Sequence, residues 1–303
     1  MTPRTVKDDS LLLLTAAIWG FAFVAQRAGM EHIQPFTYNG VRFALGSLSL
    51  IPLIFLLRHR SSRMGGSPRL RLGRSAKYGL LCGSVLFTAA SLQQVGIVYT
   101  TAGKAGFITG MYVVLVPLSG LLWKQRAGWS RWVGAGLALV GLYLLSITRD
   151  FAIARGDFLV LLSALFWTAH VQLIGLFSPK TDSLVLASIQ FGVCSLFSLA
   201  VAAVAETVVL EGILRAAIPI LYGGLCSVGI AYTLQVVIQK TAHPAHAAII
   251  LSLEGAFAVL GGWLILGEVL SLRGLLGCAL MLAGMILSQT STLRNPAAVT
   301  PQP

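Results

Sequence analysis

Ten long apolar runs constrain this chain more than any other feature; they occupy residues 10–28, 36–57, 77–97, 103–123, 130–148, 157–177, 184–205, 214–238, 245–266 and 272–290. A helix needs about 20 predominantly apolar residues to cross the hydrocarbon of a bilayer, and each run is close to that length. Inside lipid every backbone polar group must find its partner within the segment, so such runs fold as helices. The pattern predicts an all-α integral membrane protein of ten transmembrane helices. Short loops, one longer basic loop and two tails, residues 1–9 and 291–303, account for the rest, which leaves no room for a water-soluble domain between the spans. With 56% hydrophobic and only 11% charged residues, the chain carries less than half the usual charge of a soluble domain. The C-terminal tail, with Asn295, Pro296 and Pro301, is expected to be unstructured.

The runs also repeat. A shift of 148 lays Thr15-Ala-Ala-Ile-Trp19 on Ser163-Ala-Leu-Phe-Trp167, Arg42-Phe43 on Gln190-Phe191 and Ser47-Leu48 on Ser195-Leu196. Further along, a shift of 142 matches Leu92-Gln93 with Leu234-Gln235, Ala105 with Ala247, Gly120 with Gly262, Leu122 with Leu264 and Arg131 with Arg273. Residues 10–148 and 157–290 are thereby read as two copies of a five-helix unit. Because five is odd, the second copy must enter the membrane from the opposite side, which makes an inverted repeat around a shared cavity. The first run follows Arg4 and Lys7 like a signal peptide, but it recurs in the second copy and is read as a retained span.

The charges orient the bundle. With the N-terminus placed in the cytoplasm, 15 Lys and Arg lie on the cytoplasmic side and 6 on the outer side, and both termini face inward. Seven of the 15 fall between Arg58 and Lys77, where they fit a retention signal that meets anionic lipid head groups. The net charge of +12 therefore does not point to nucleic acid. Cys82, Cys194, Cys226 and Cys278 are scattered through apolar runs, without a metal-binding spacing or a disulfide framework. No phosphate loop, HExxH or GxSxG motif is present, so neither an enzyme nor a cofactor is expected. His243 and His246 sit three apart without an acidic or cysteine neighbour, which favours an interfacial role over a metal site.

Arg42 and Glu254 stand out as the formally charged side chains well inside spans. Each costs about 2.5–3.5 kcal/mol at a helix centre, and such residues face a bundle interior or a wet cavity. Helical spacing puts Tyr38, Asn39, Arg42, Gly46 and Ser49 on one stripe, and Leu251, Glu254, Ala258 and Gly261 on another. Arg42 is a candidate binder of a substrate carboxylate and Glu254 of an amine or a proton; a structural ion pair between the two is the alternative. Trp19 and Gln26 share one face, as do Ser163, Trp167 and His170. Gln93, Tyr232 and Gln235 complete the candidate substrate contacts, with aromatic packing and interhelical hydrogen bonding as competing explanations. His170 is a candidate proton carrier, with a neutral, hydrogen-bonded core histidine as the favoured alternative. Gly79-x-x-x-Gly83 and Gly106-x-x-x-Gly110 mark close helix contacts, and Pro117 and Gly255 are candidate bends.

These residues resemble the ten-helix EamA group of the drug/metabolite transporter superfamily. The resemblance runs from Leu11 to Ser288 and rests on Ile18-Trp19-Gly20, on Val41-Arg42-Phe43, and on Ala247-Ala248, Leu251 and Leu253-Glu254 leading to Leu266-Gly267-Glu268. One departure is Gly255, where family members often carry proline after the glutamate. The resemblance implies a secondary transporter whose cavity is formed by helices 1–4 and 6–9, with helices 5 and 10 peripheral, in the bacterial inner membrane. It further implies export of amino acids or other small metabolites, with coupling to protons as an option. A membrane scaffold or sensor that uses the same fold and engages partners through the Arg58–Lys77 loop is the other reading.

Overall fold

The computed structural model of the chain describes residues 3–63, 72–119, 129–146, 153–238, 250–251 and 253–294. Among these the regular structure is helical: α1 (Pro3–Gly29), α2 (Pro35–Arg63), α3 (Leu72–Val98), α4 (Ala102–Gly110), α5 (Tyr112–Ser119), α6 (Trp129–Ser146), α7 (Arg155–Phe177), α8 (Ser183–Ala205), α9 (Leu210–Arg215), α10 (Ala217–Leu221), a π-helical segment (Tyr222–Ala231), α11 (Tyr232–Ile238), α12 (Glu254–Leu266) and α13 (Leu272–Arg294). Six helical stretches are long and apolar enough to cross a membrane, and Ala102–Val116, Trp132–Leu145, Glu254–Leu266 and Leu272–Leu287 are shorter apolar helices.

Among the described residues the fourth and eighth apolar runs are not single helices. The fourth breaks at Met111, between α4 and α5, rather than at Pro117. The eighth comprises α9, α10, the π-helical turns and α11; its Gly223, Gly224 and Gly229 lie against α2 and let the backbone approach closely. A Cβ on Gly224 would stand 2.9 Å from the Arg42 carbonyl oxygen. Proline at 219 and glycines at 223, 224 and 229 weaken the α-helical ladder there, and tertiary packing decides the outcome. The outer helices also run past their expected ends, α1 beginning at Pro3 and α13 continuing to Arg294. Gln239, Lys240, His243, His246, Ala247, Gly120, Leu122, Arg69, Arg71 and the tail beyond residue 294 lie outside the described residues.

The packing follows a paired plan. α2 lies antiparallel to α8, with Gly40 on Leu199 and Ser47 hydrogen-bonded to the Ser188 carbonyl at 2.8 Å. α4 runs antiparallel to α12, Gly103 meeting Val259 and Gly106 meeting Ala258. α6 and α13 do the same through Gly141 on Gly277 and Gly284 on Ala138. Each of these pairs joins a helix to its counterpart five spans later. α1 packs on α11, α12 and the π-helical segment, and α7 packs correspondingly on α3, α4 and α5. The expected small-residue contacts are present: Gly79 and Gly83 seat Ile189 and Val193 of α8, and Gly106 and Gly110 seat Ala258 and Met285. Such contacts replace hydrophobic driving force where the surroundings are as apolar as the side chains. Large apolar residues such as Phe55, Leu196, Val204 and Ile218 point outward, as a lipid-facing surface requires.

Candidate functional site: a central cavity between the two halves

A cavity of about 90 Å³, with room for several water molecules, lies where the long helices converge. Trp19 reaches it from α1, Arg42 from α2 and Gln93 from α3. Trp167 and His170 enter from α7, Tyr232 and Gln235 from α11, and Glu254 from the first turn of α12. Of the candidate contacts named from sequence, Asn39 alone does not line it. Asn39 stands behind the wall instead: its Nδ2 donates to the Ala90 carbonyl at 3.1 Å and its Oδ1 accepts from Arg42 Nε at 3.0 Å.

Among the described residues no carboxylate pairs with Arg42. It is only 4% exposed, and its guanidinium lies over the rings of Tyr38 and Phe43, at 5.3 and 4.8 Å from their centroids. Such stacking is worth about 0.5–2 kcal/mol and leaves guanidinium edges available. Tyr38 is fixed in turn by its hydroxyl, which donates to the Pro219 carbonyl at 3.0 Å. Glu254 is 3% exposed, and its Oε1 is buried with no hydrogen-bond partner among the described residues. The ion pairs among those residues are Lys104–Asp157 and Arg215–Glu211, so the alternative of a structural Arg42–Glu254 bridge is not what the fold adopts. A buried carboxylate oxygen without a donor is strongly unfavourable, and the side chain that bears it lines the cavity. Gly20 explains how α1 tolerates it: a Cβ there would lie 2.7 Å from the Glu254 carbonyl, so the Trp19-Gly20 motif packs directly on the turn that carries the acid.

Glutamines organise the remaining wall. Gln93 Oε1 accepts from Trp167 Nε1 at 2.8 Å and from Thr109 Oγ1 at 3.4 Å, while its Nε2 donates to Gln26 Oε1 at 2.9 Å. One side chain thereby ties α3 to α7, α4 and α1. His170 Nε2 lies 2.8 Å from Gln190 Oε1, and Trp167 stands perpendicular to its ring at 5.8 Å. On the opposite wall Trp19 meets Tyr232 edge-on at 5.0 Å and donates to the Ser227 carbonyl at 3.3 Å.

Sequence reasoning left Thr109, Tyr112, Gln190 and Ser227 out of the site, and placed Gln26 on its face without promoting it. Two of these had a signal. Gln190 is the counterpart of Arg42 under the shift of 148, and Tyr112 is the counterpart of Glu254 under the shift of 142. A cavity shared by two like units is lined by equivalent positions, so each named contact pointed to a second.

At one end of the bundle, carboxylates from the second half grip helix starts in the first. Gly267 takes a left-handed φ of 65° and ends α12, the usual glycine stop. The turn brings Glu268 onto the first amides of α4, accepting from Ala102 N at 2.8 Å and Gly103 N at 3.2 Å. Glu206 caps α2 likewise, through Phe36 N and Thr37 N, each at 2.7 Å. Asp157, fully buried, accepts from Lys104 Nζ at 3.0 Å and from Thr100. Negative groups at helix N-termini are favoured by about 0.3–1 kcal/mol each, more where partly buried. Among the described residues no three His, Cys, Asp or Glu come together as a metal would need.

Comparison with known proteins places this architecture. The EamA-like transporter family matches the chain twice, over residues 7–147 and 154–290. An uncharacterized transporter of Archaeoglobus fulgidus is 33% identical over 280 residues, covering 92% of this chain and 84% of the relative. A protein of Salmonella typhimurium described as a "probable amino-acid metabolite efflux pump" is 25% identical over 53% of this chain and 51% of its own length. A crystal structure covering 95% of this chain and 98% of its own superposes with a TM-score of 0.65 at 17% identity, a likeness of fold alone. With the family matched across both halves and the apolar helices in place, the chain is a multi-pass membrane protein that belongs to the EamA-like transporter family.

Proposed function

We propose that the protein is a secondary transporter of the bacterial inner membrane that exports amino acids or other small zwitterionic metabolites by alternating access. The observation that carries this reading is a pair of charges in one cavity that are unmatched among the described residues: Arg42 without a carboxylate, and Glu254 with a partnerless Oε1. A zwitterion supplies both missing partners, its carboxylate to Arg42 and its ammonium to Glu254, and the indoles of Trp19 and Trp167 offer it an apolar wall. The antiparallel packing of α2 with α8, α4 with α12 and α6 with α13 supports a ten-helix inverted repeat. The excess of Lys and Arg on one side supports cytoplasmic termini. The name of the Salmonella relative favours amino-acid metabolites as cargo. Glu254 is also the candidate proton site, because protonation would empty it of charge without a substrate.

The test is flux of the purified protein in vesicles against a panel of amino acids and amines, with and without a pH gradient. Wild-type protein is expected to move at least one zwitterion, and Arg42→Ala to abolish that flux while the protein remains in the membrane. Unaltered flux in both Arg42→Ala and Glu254→Gln would reject the reading.

A further inference from the structure

The cavity wall contains two equivalent indole–glutamine pairs in different states. Trp167 of α7 donates to Gln93 of α3 at 2.8 Å. The counterparts are Trp19, 148 residues before Trp167, and Gln235, 142 residues after Gln93. α1 packs against α11, and Trp19 and Gln235 line the same cavity, so a matching bond is within the design. It is not made: Trp19 donates instead to the Ser227 carbonyl at 3.3 Å, beyond the usual range for N–H donors. The Gln235 side chain has no hydrogen bond among the described residues, whereas Gln93 is held by Trp167, Gln26 and Thr109.

We propose that the two pairs are alternating latches: in the opposite-facing state Trp167 releases Gln93, and Trp19 leaves the Ser227 carbonyl to donate to Gln235. When two like units rock about a shared site, equivalent contacts exchange roles between the end states, and the asymmetry seen here marks one of those states. Each latch is a single neutral hydrogen bond, strong enough to bias the equilibrium and weak enough to release. Removing a bond made in only one state shifts the ratio of states by about two- to tenfold. Gln93 and Gln235 are then positioning residues that set which indole faces the substrate. The inference rests on the alternating-access reading above.

The end tied by Asp157 and Glu268 offers a handle on the second state that needs no substrate. Among the 6 tryptophans, proteins retaining only Trp167 or only Trp19, with phenylalanine at the other positions, report each indole separately. In the resting protein Gln93→Leu should shift the emission maximum of Trp167, while Gln235→Leu leaves Trp19 unchanged; equal shifts would overturn the proposal. Asp157→Asn with Glu268→Gln should release those ties, read as faster amide exchange at Ala102 and Gly103. In that released protein the dependence should reverse, Trp19 responding to Gln235→Leu and Trp167 no longer to Gln93→Leu. Release by exchange without a Gln235-dependent Trp19 signal would overturn the switch. If no compound of the flux panel were carried, the transport reading would fail while the two emission comparisons still decided the latches.

Discussion

The two halves of the cavity wall share a set of aromatic and amide residues and differ in their charges. Trp19 is matched by Trp167, Phe43 by Phe191 and Gln93 by Gln235, identical residues at equivalent positions. At other lining positions the copies have diverged, and three of these carry the chemistry. Arg42 is matched by Gln190, Glu254 by Tyr112, and His170 by Ala22. The first half therefore supplies the cation, and the second supplies the anion and the imidazole. Retained aromatic and amide positions preserve the packing that a symmetric hollow needs, because those side chains also bridge helices. Divided charges give the hollow a direction, so that a ligand with two ends has one favoured orientation.

The largest expected effect tests that division. Arg42→Gln makes the first half resemble the second and should weaken substrate binding by about 2–5 kcal/mol, seen as a loss of flux of thirtyfold or more. Gln190→Leu, at the equivalent position, should cost less than tenfold; equal losses would mean that the halves share the load. Second, Glu254→Gln should flatten the pH dependence of flux. Protonating the carboxylate removes its attraction for an ammonium group, so wild-type affinity falls as pH falls, whereas the amide stays weak throughout. His170→Ala, which copies Ala22, should leave the shape of that pH profile intact, and vesicle flux across a pH series compares the two. Third, Gly106→Val would force a branched side chain onto Ala258 at the α4–α12 crossing, with about 1–3 kcal/mol of destabilisation, read as a lower melting temperature in detergent. Smallest, Tyr112→Phe removes only a hydroxyl opposite Glu254's position and should change flux less than about threefold.

Much of this was legible before any coordinates. Apolar runs of bilayer length announce helices because lipid offers no alternative partner for the backbone. Arg42 and Glu254 were conspicuous because charge is rare in hydrocarbon. Trp19, Trp167, His170, Gln93, Tyr232 and Gln235 followed from helical periodicity, and they do meet at one cavity. Asn39 shared the Arg42 stripe, but its side chain turns to Ala90 and Arg42 rather than to the hollow. Asp157 and Glu206 drew no attention, and Glu268 drew it only as the end of the Leu266-Gly267-Glu268 motif, since a carboxylate at a span end looks solvated in sequence. Their role depends on helix starts more than 160 residues away for Glu206 and Glu268.

Periodicity and repetition, both local or pairwise properties of the chain, determined by themselves that this protein crosses the membrane many times and that its halves are alike. Tertiary structure decided that Arg42 and Glu254 do not neutralise each other, that the eighth run leaves the α-helix for ten π-helical residues, and that second-half carboxylates cap first-half helix starts. Those outcomes turn on distances of a few ångströms between residues far apart in sequence. Hydrophobic pattern fixes which face turns inward, but not how far along its neighbour each helix slides.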